Sequence, residues 1–346
     1  MQQKVKQVAL ALQGGGALGA FTWGVLEAFL LDKRIEITGF AGTSAGAMNA
    51  LAAINGLIKN DRQGAIDSLN NFWLSASDVT FMSMPALYDY YGNMIGEPNL
   101  KTSPFFLSPY FSVLFNYLSP YIWNPYRVNY FKDFCKDFFD FNAIKKSKNP
   151  KLYLAATHIE SGKIKIFNNS DVSLDVAMAT TCLPRLTHAA DVNGEFYWDG
   201  GLVANPPIYP LIYGHCAKDI VVIQLTKNNA PQIPKTATHI RHRFNEISLN
   251  SNLIREMRAI YLITKLIDEG KIKDKTIMRI NLHVIKDDIL FNELGAGSML
   301  NMDKDFLHRL HNRGLKIGQE WIEKNFNSLG KKLPFSPAIY NDYIKD

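Results

Sequence analysis

Residues 8–46 read VALALQGGGALGAFTWGVLEAFLLDKRIEITGFAGTSAG. The apolar run at 8–12 stops at Gln13 and three glycines, which reads as a short buried strand. Residues 17–31 follow, with Phe21, Val25 and Phe29 at four-residue spacing along one helical face. A second strand at 35–41 again ends in glycine, Gly42. Residues 45–57 read as a second helix rich in small side chains. Strand, helix, strand and helix joined by short connections predict a parallel sheet with helices packed on it.

Downstream, the pattern breaks and then returns. From about 81 to 135 the chain carries Phe105, Phe106, Tyr110 and Phe111 among Pro104, Pro109, Pro120 and Pro125. The prolines deny this stretch a long regular element, so it reads as an aromatic insertion of short helices and loops. Two readings of it stay open: core packing under a long loop, or an acyl-chain channel with a face that meets a membrane. Regular structure resumes with a hairpin at 152–158 and 163–167 and a helix at 173–182. Strands follow at 195–198 and 220–225. After about 231 come a long helix at 241–268, a strand at 276–284 and a terminal helix at 303–326.

The chain has 346 residues, 47% of them hydrophobic and 20% charged. That is ordinary globular composition, long enough to bury a core without disulfides. The formal charge of +6 fits both an anionic membrane surface and a plain soluble enzyme. No dense Lys/Arg block of the nucleic-acid kind is present. The three cysteines have no metal spacing, so neither a disulfide scaffold nor a zinc site is expected. No signal-peptide pattern and no long apolar run appear, which predicts a cytoplasmic or peripheral membrane protein; export by a signal-less route stays open.

Three glycine motifs carry the chemistry. The sequence Gly42-Thr43-Ser44-Ala45-Gly46 puts a serine at a strand-to-helix turn. Such a bend exposes the hydroxyl, with a helix N-terminus behind it to favour negative charge. Gly14-Gly15-Gly16-Ala17-Leu18-Gly19 opens the preceding helix. Its backbone N–H groups converge on one spot and can hold an oxyanion. Gly14, Gly15 and Gly16 with Ala45 are the candidate donors, Gly15 and Gly16 foremost. The same run matches a dinucleotide fingerprint, but the second strand ends in Gly-Thr-Ser-Ala-Gly instead of the acidic residue that would bind ribose. Asp199-Gly200-Gly201 places a carboxylate on a glycine-relieved turn after a later strand. In the usual α/β-hydrolase the nucleophile follows several strands; Ser44 follows only two, so that topology does not fit.

Taken in order, Gly14–Gly19, Gly42–Gly46 and Asp199–Gly201 resemble the blocks of the patatin-like phospholipase family. So do the flanking stretches LALQGGGALGAF, FAGTSAGAMNA, TTCLPRL and YWDGGLVANPP. The resemblance covers roughly residues 5–225; the C-terminal part, 231–346, resembles the extensions of some bacterial members and is expected to pack on the core. The family resemblance implies a three-layer α/β/α sandwich around a mainly parallel sheet. It also implies a dyad of Ser44 and Asp199, an oxyanion hole in the glycine loop, and Gly19, Gly42, Gly46, Gly200 and Gly201 as motif support. No metal, cofactor or catalytic histidine is implied. The expected activity is a lipid acyl hydrolase of phospholipase A, lysophospholipase or lipase-type esterase character, its partner a lipid or fatty-acyl ester. An esterase for short-chain or polyester substrates and an inactive lipid-binding module stand as alternatives. One position departs: many members carry Arg or Lys where this chain has Leu18, which puts strict phospholipid specificity in doubt. Of the histidines, only His188 falls in a loop expected near the site.

Overall fold

A computed structural model describes residues 5–83, 119–229, 233–294, 296–332 and 334–345. The strands are β1 (Lys6–Leu12), β2 (Ile35–Gly42), β3 (Lys151–His158), β4 (Ile164–Asn168), β5 (Ala190–Val192), β6 (Glu195–Asp199), β7 (Asp219–Ile223) and β8 (Asn281–Ile285). The helices that frame the site are α1 (Gly19–Leu31), α2 (Ala45–Ser83), α3 (Tyr130–Phe138), α4 (Leu174–Thr180), α5 (Tyr209–Tyr213), α6 (Ala237–Asp268) and α7 (Lys304–Asn325).

All eight strands join one sheet in the order β5-β6-β3-β2-β1-β7-β8, with β4 on β3. The pairs β3–β2, β2–β1, β1–β7 and β7–β8 are parallel. Strands β4, β5 and β6 run antiparallel to their neighbours. Alternation along the strands explains why the sheet is covered on both faces. Val8, Leu10 and Leu12 of β1 enter one core with residues of α1, α2 and α7. Ala9 and Ala11 enter the other, with Leu211 of α5 and Leu253, Met257 and Ile260 of α6. This is the expected α/β/α sandwich.

Several elements differ in extent from the sequence reading. The first turn of the first helix, Gly16–Leu18, is a 3-10 turn, and α1 proper starts at Gly19. Helix α2 does not end at 57. It breaks at Asn60–Asp61, where Asp61 has φ 48, and resumes to Ser83. The C-terminal part is built into the sheet: β8 extends it beyond β7, and α7 lies along α1. Strand β8 starts only at Asn281; at 274–276 the chain is still in a turn, where the Asp274 side chain accepts from both the N–H and the hydroxyl of Thr276. Of the aromatic insertion, the one-turn helix Pro120–Trp123 and α3 are described; Phe105, Phe106, Tyr110 and Phe111 lie outside the described residues. Among the described residues no helix is long and apolar enough to cross a membrane.

Candidate active site

Strand β3 acts as the ruler that brings the serine and the aspartate together. Gly42 at the end of β2 pairs with Leu154, and Asp199 at the end of β6 pairs with Ala156. Leu154 and Ala156 both pair with β4 on the other side, so β2 and β6 share one edge of β3. Strand β6 thus takes over that edge where β2 stops, two residues or about 7 Å further along. Ser44 lies two residues past Gly42, on the turn over this junction.

The turn is tight. Ser44 has φ 54, a left-handed conformation that costs a non-glycine residue on the order of 1–3 kcal/mol. Its N–H donates to the carbonyl of Thr180, at the end of α4, at 3.1 Å. A Cβ on Gly46 would lie 2.1 Å from the carbonyl oxygen of Leu12, and one on Gly14 would lie 2.8 Å from Cβ of Ser44. Glycine at both places lets the end of β1 and the start of α2 touch.

Asp199 is 3% exposed. Its own N–H donates to the Cys182 carbonyl at 2.7 Å, and its carbonyl accepts from the Thr157 hydroxyl at 2.8 Å. The side chain is split in function: Oδ1 accepts from the N–H of Gly201 at 2.7 Å, while Oδ2 is buried without a hydrogen-bond partner. Burial pushes the carboxyl up to about 6; the Gly201 N–H and the nearby Ser44 hydroxyl work against the rise. The hydroxyl is therefore close, yet it does not meet Oδ2 at hydrogen-bonding geometry. Such contacts are often long in unliganded sites and tighten when substrate binds.

A family profile described as Patatin-like phospholipase matches residues 10–212. The chain belongs to the patatin-like phospholipase family. No curated protein matches it. Among solved structures, VipD from Legionella pneumophila matches at 12% identity and a TM-score of 0.37, over 94% of this chain and 67% of that one. The ExoU–SpcU heterodimer of the type III secretion system of Pseudomonas aeruginosa matches at 14% identity and 0.40, over 94% of this chain and 53% of that one. This chain thus spans about two thirds of the one and about half of the other.

Of the family's glycine loop, Gly14 is not free to act as a donor. Its N–H is held by Oδ1 of Asn205 at 2.7 Å, and Asn205 Nδ2 returns a bond to the Gly14 carbonyl at 3.3 Å. The N–H groups of Gly15, Gly16 and Ala45 meet no acceptor among the described residues. Gly16 has φ 58 and is exposed. Leu18, at the position where many members carry a cation, is buried in the core between sheet and helices. His188 makes no hydrogen bond to Ser44 or Asp199: its Nε2 lies 2.8 Å from the Asn124 carbonyl, its ring packs on Tyr121 at 4.2 Å, and its Nδ1 is buried without a partner. No three His, Cys, Asp or Glu side chains among the described residues gather as a cation site.

Sequence reasoning missed Asn205 and Gln13. Both are buried polar side chains, 1% and 0% exposed. The signal available was their setting: a glutamine closing an apolar strand and an asparagine before Pro206-Pro207 each demand partners once buried.

Proposed function

We propose that this chain hydrolyses fatty-acyl esters of lipids through an acyl intermediate on Ser44, with Asp199 as general base. The observation that carries the reading is the divided carboxylate. One oxygen of Asp199 is fixed by Gly201, the other is buried and unpartnered, and the carboxyl lies near the Ser44 hydroxyl. Oδ2 takes the hydroxyl proton as Oγ attacks the ester carbonyl. The tetrahedral oxyanion is held by the N–H groups of Gly15, Gly16 and Ala45 at the N-terminus of α2. Gly14 serves by anchoring the loop to Asn205. Collapse of the intermediate returns the proton from Asp199 to the leaving alcohol. A water then gives its proton to Asp199 and attacks the acyl-Ser44 ester; collapse returns that proton to Oγ of Ser44 and releases the fatty acid.

The usual weakness of an aspartate base is its low pKa. Raised to about 6, Asp199 remains mostly ionised at neutral pH while matching its task far better than an ordinary carboxylate. A lipid substrate agrees with the family, and a peripheral contact with the membrane that presents it follows from the same reading.

The test is hydrolysis of a defined phospholipid and glyceride mixture, together with fluorophosphonate labelling, by wild type, Ser44→Ala and Asp199→Asn. Ser44→Ala loses both labelling and hydrolysis. Asp199→Asn loses about 10²–10⁴-fold in rate or more. Turnover of short esters with the lipids untouched would favour an esterase of another substrate class. Wild-type hydrolysis by Ser44→Ala would overturn the reading.

A further inference from the structure

Gln13 sits between the end of β1 and the glycine run, and it is fully buried. Its Oε1 accepts from the N–H of Leu225 at 2.7 Å and from that of Thr226 at 3.0 Å. Its Nε2 donates to the carbonyl of Asn205 at 3.2 Å and to Oδ1 of Asn250 at 3.0 Å. Asn205 is the residue that grips Gly14 on both its N–H and its carbonyl. Asn250 belongs to α6, in the C-terminal part, and is 3% exposed. Its Nδ2 donates to the Lys227 carbonyl at 2.9 Å, and its Oδ1 lies 2.6 Å from the Thr226 hydroxyl.

Helix α6 takes a second hold further along. Oε2 of Glu256 accepts from the N–H groups of Ile208 and Tyr209, both at 2.9 Å. These residues follow Asn205-Pro206-Pro207 directly. The segment that anchors the glycine loop is therefore tied to one helix by two separate contacts, one through Gln13 and one through Glu256. Each carboxamide in the first contact has both ends engaged, which makes a fully satisfied buried network and a stiff one.

We propose that Asn250 is a positioning residue for the oxyanion-binding loop, acting through Gln13 and Asn205. This rests on the acyl-serine reading above. Stabilising the oxyanion depends on where the N–H groups of Gly15 and Gly16 stand when charge develops, so sub-ångström placement matters. Asn250 touches none of the reacting atoms. Its loss removes an acceptor from Gln13 Nε2 and a donor from the Lys227 carbonyl, and Gln13 then no longer holds Asn205 in one place. The loop loosens, while Asn250 itself makes no contact that would bind substrate. The expected signature is a fall in kcat with little change in KM, the mark of an interaction realised only in the transition state.

The experiment uses the full chain, a soluble p-nitrophenyl ester and a fluorophosphonate probe. Asn250→Ala lowers kcat about tenfold to a hundredfold, as expected for a misplacement near 1 Å, with KM within about twofold. The rate of phosphonylation at Ser44 falls in parallel. Thr226→Val, nearly the same shape, removes only the hydroxyl between Gln13 and Asn250; it lowers kcat several-fold and decides the question if the alanine variant does not fold. Leu253→Ala is the control: it is buried on the same helix without a polar group, so it lowers the melting temperature and keeps kcat. The proposal is overturned if Leu253→Ala, at an equal loss of melting temperature, lowers kcat as far as Asn250→Ala. It is also overturned if Asn250→Ala and Thr226→Val turn over at the wild-type rate while Ser44→Ala is dead. An active Ser44→Ala would instead remove the acyl-serine reading itself, and the proposal with it.

Discussion

At pH 7 an Asp199 carboxyl held at about 6 is mostly ionised in a place that has shed its water. Two consequences run in opposite directions. As a base it must be deprotonated, so kcat/KM on a soluble ester rises with pH through about 6 and then levels. A profile flat between about pH 5 and pH 8 would exclude Asp199 as the base. For stability the folded value lies above the unfolded one, near 3.8. The native state then binds the proton more tightly, and stability falls as pH rises from about 4 through about 6. Above that window the burial of the charge costs on the order of 3 kcal/mol. Asp199→Asn keeps the acceptor for the Gly201 N–H and removes the charge. It is expected to be inactive yet to melt higher than wild type near pH 8, the gap closing near pH 4. A melting difference of the same size at both pH values would mean that ionisation is not its cause.

Between elements, the tightest contact is the crossing of α1 and α7. A Cβ on Gly24 would lie 1.9 Å from the His311 carbonyl oxygen, and one on Gly314 would lie 2.0 Å from that of Phe21. The helices meet backbone to backbone, with the Trp23 ring over His311 at 3.9 Å and His311 Nε2 on Glu27 at 2.7 Å. Gly314→Ala must push them apart, at a cost of about 1–3 kcal/mol. Calorimetry should show a melting temperature lower by several degrees, with kcat per labelled Ser44 unchanged. An unshifted melting temperature would mean that the crossing is loose. This contact also shows what the sequence could carry. The periodicities of β1, α1 and β2 and the glycine turn at Ser44 are local, and they were legible. Asp199 was legible as a turn, and its place at the end of β6 follows from the register on β3. The partners of Gln13, Asn205 and Asn250 were not, because no local pattern says which distant carboxamide a buried one will meet. For the same reason the run of α2 beyond Asn60 and the late start of β8 went unread: each depends on packing against distant parts of the chain.

At the scale of the molecule, the question is whether the segment after about 231 is an appendage or part of the fold. Phe306, Leu307, Leu310 and Ile322 of α7 are all buried in the core that also holds α1 and α2. At about 1.5–3 kcal/mol each, these four side chains alone match the net stability of a whole domain, about 5–15 kcal/mol. Strand β8 pairs with β7 over its full length, so its removal leaves β7 as a bare hydrophobic edge, a template for aggregation. Helix α6 covers the opposite face through Leu253, Met257 and Ile260. A chain ending after residue 230 is therefore expected to be insoluble, or soluble only as an expanded state with no cooperative melting transition, even though it keeps Ser44 and Asp199. Size-exclusion chromatography, circular dichroism melting and fluorophosphonate labelling of this fragment decide the matter. A monomeric fragment that melts cooperatively and labels at Ser44 would show that the family's core stands alone. In that event it should still label slowly, because Gln13 and the Asn205 segment would have lost Asn250 and Glu256.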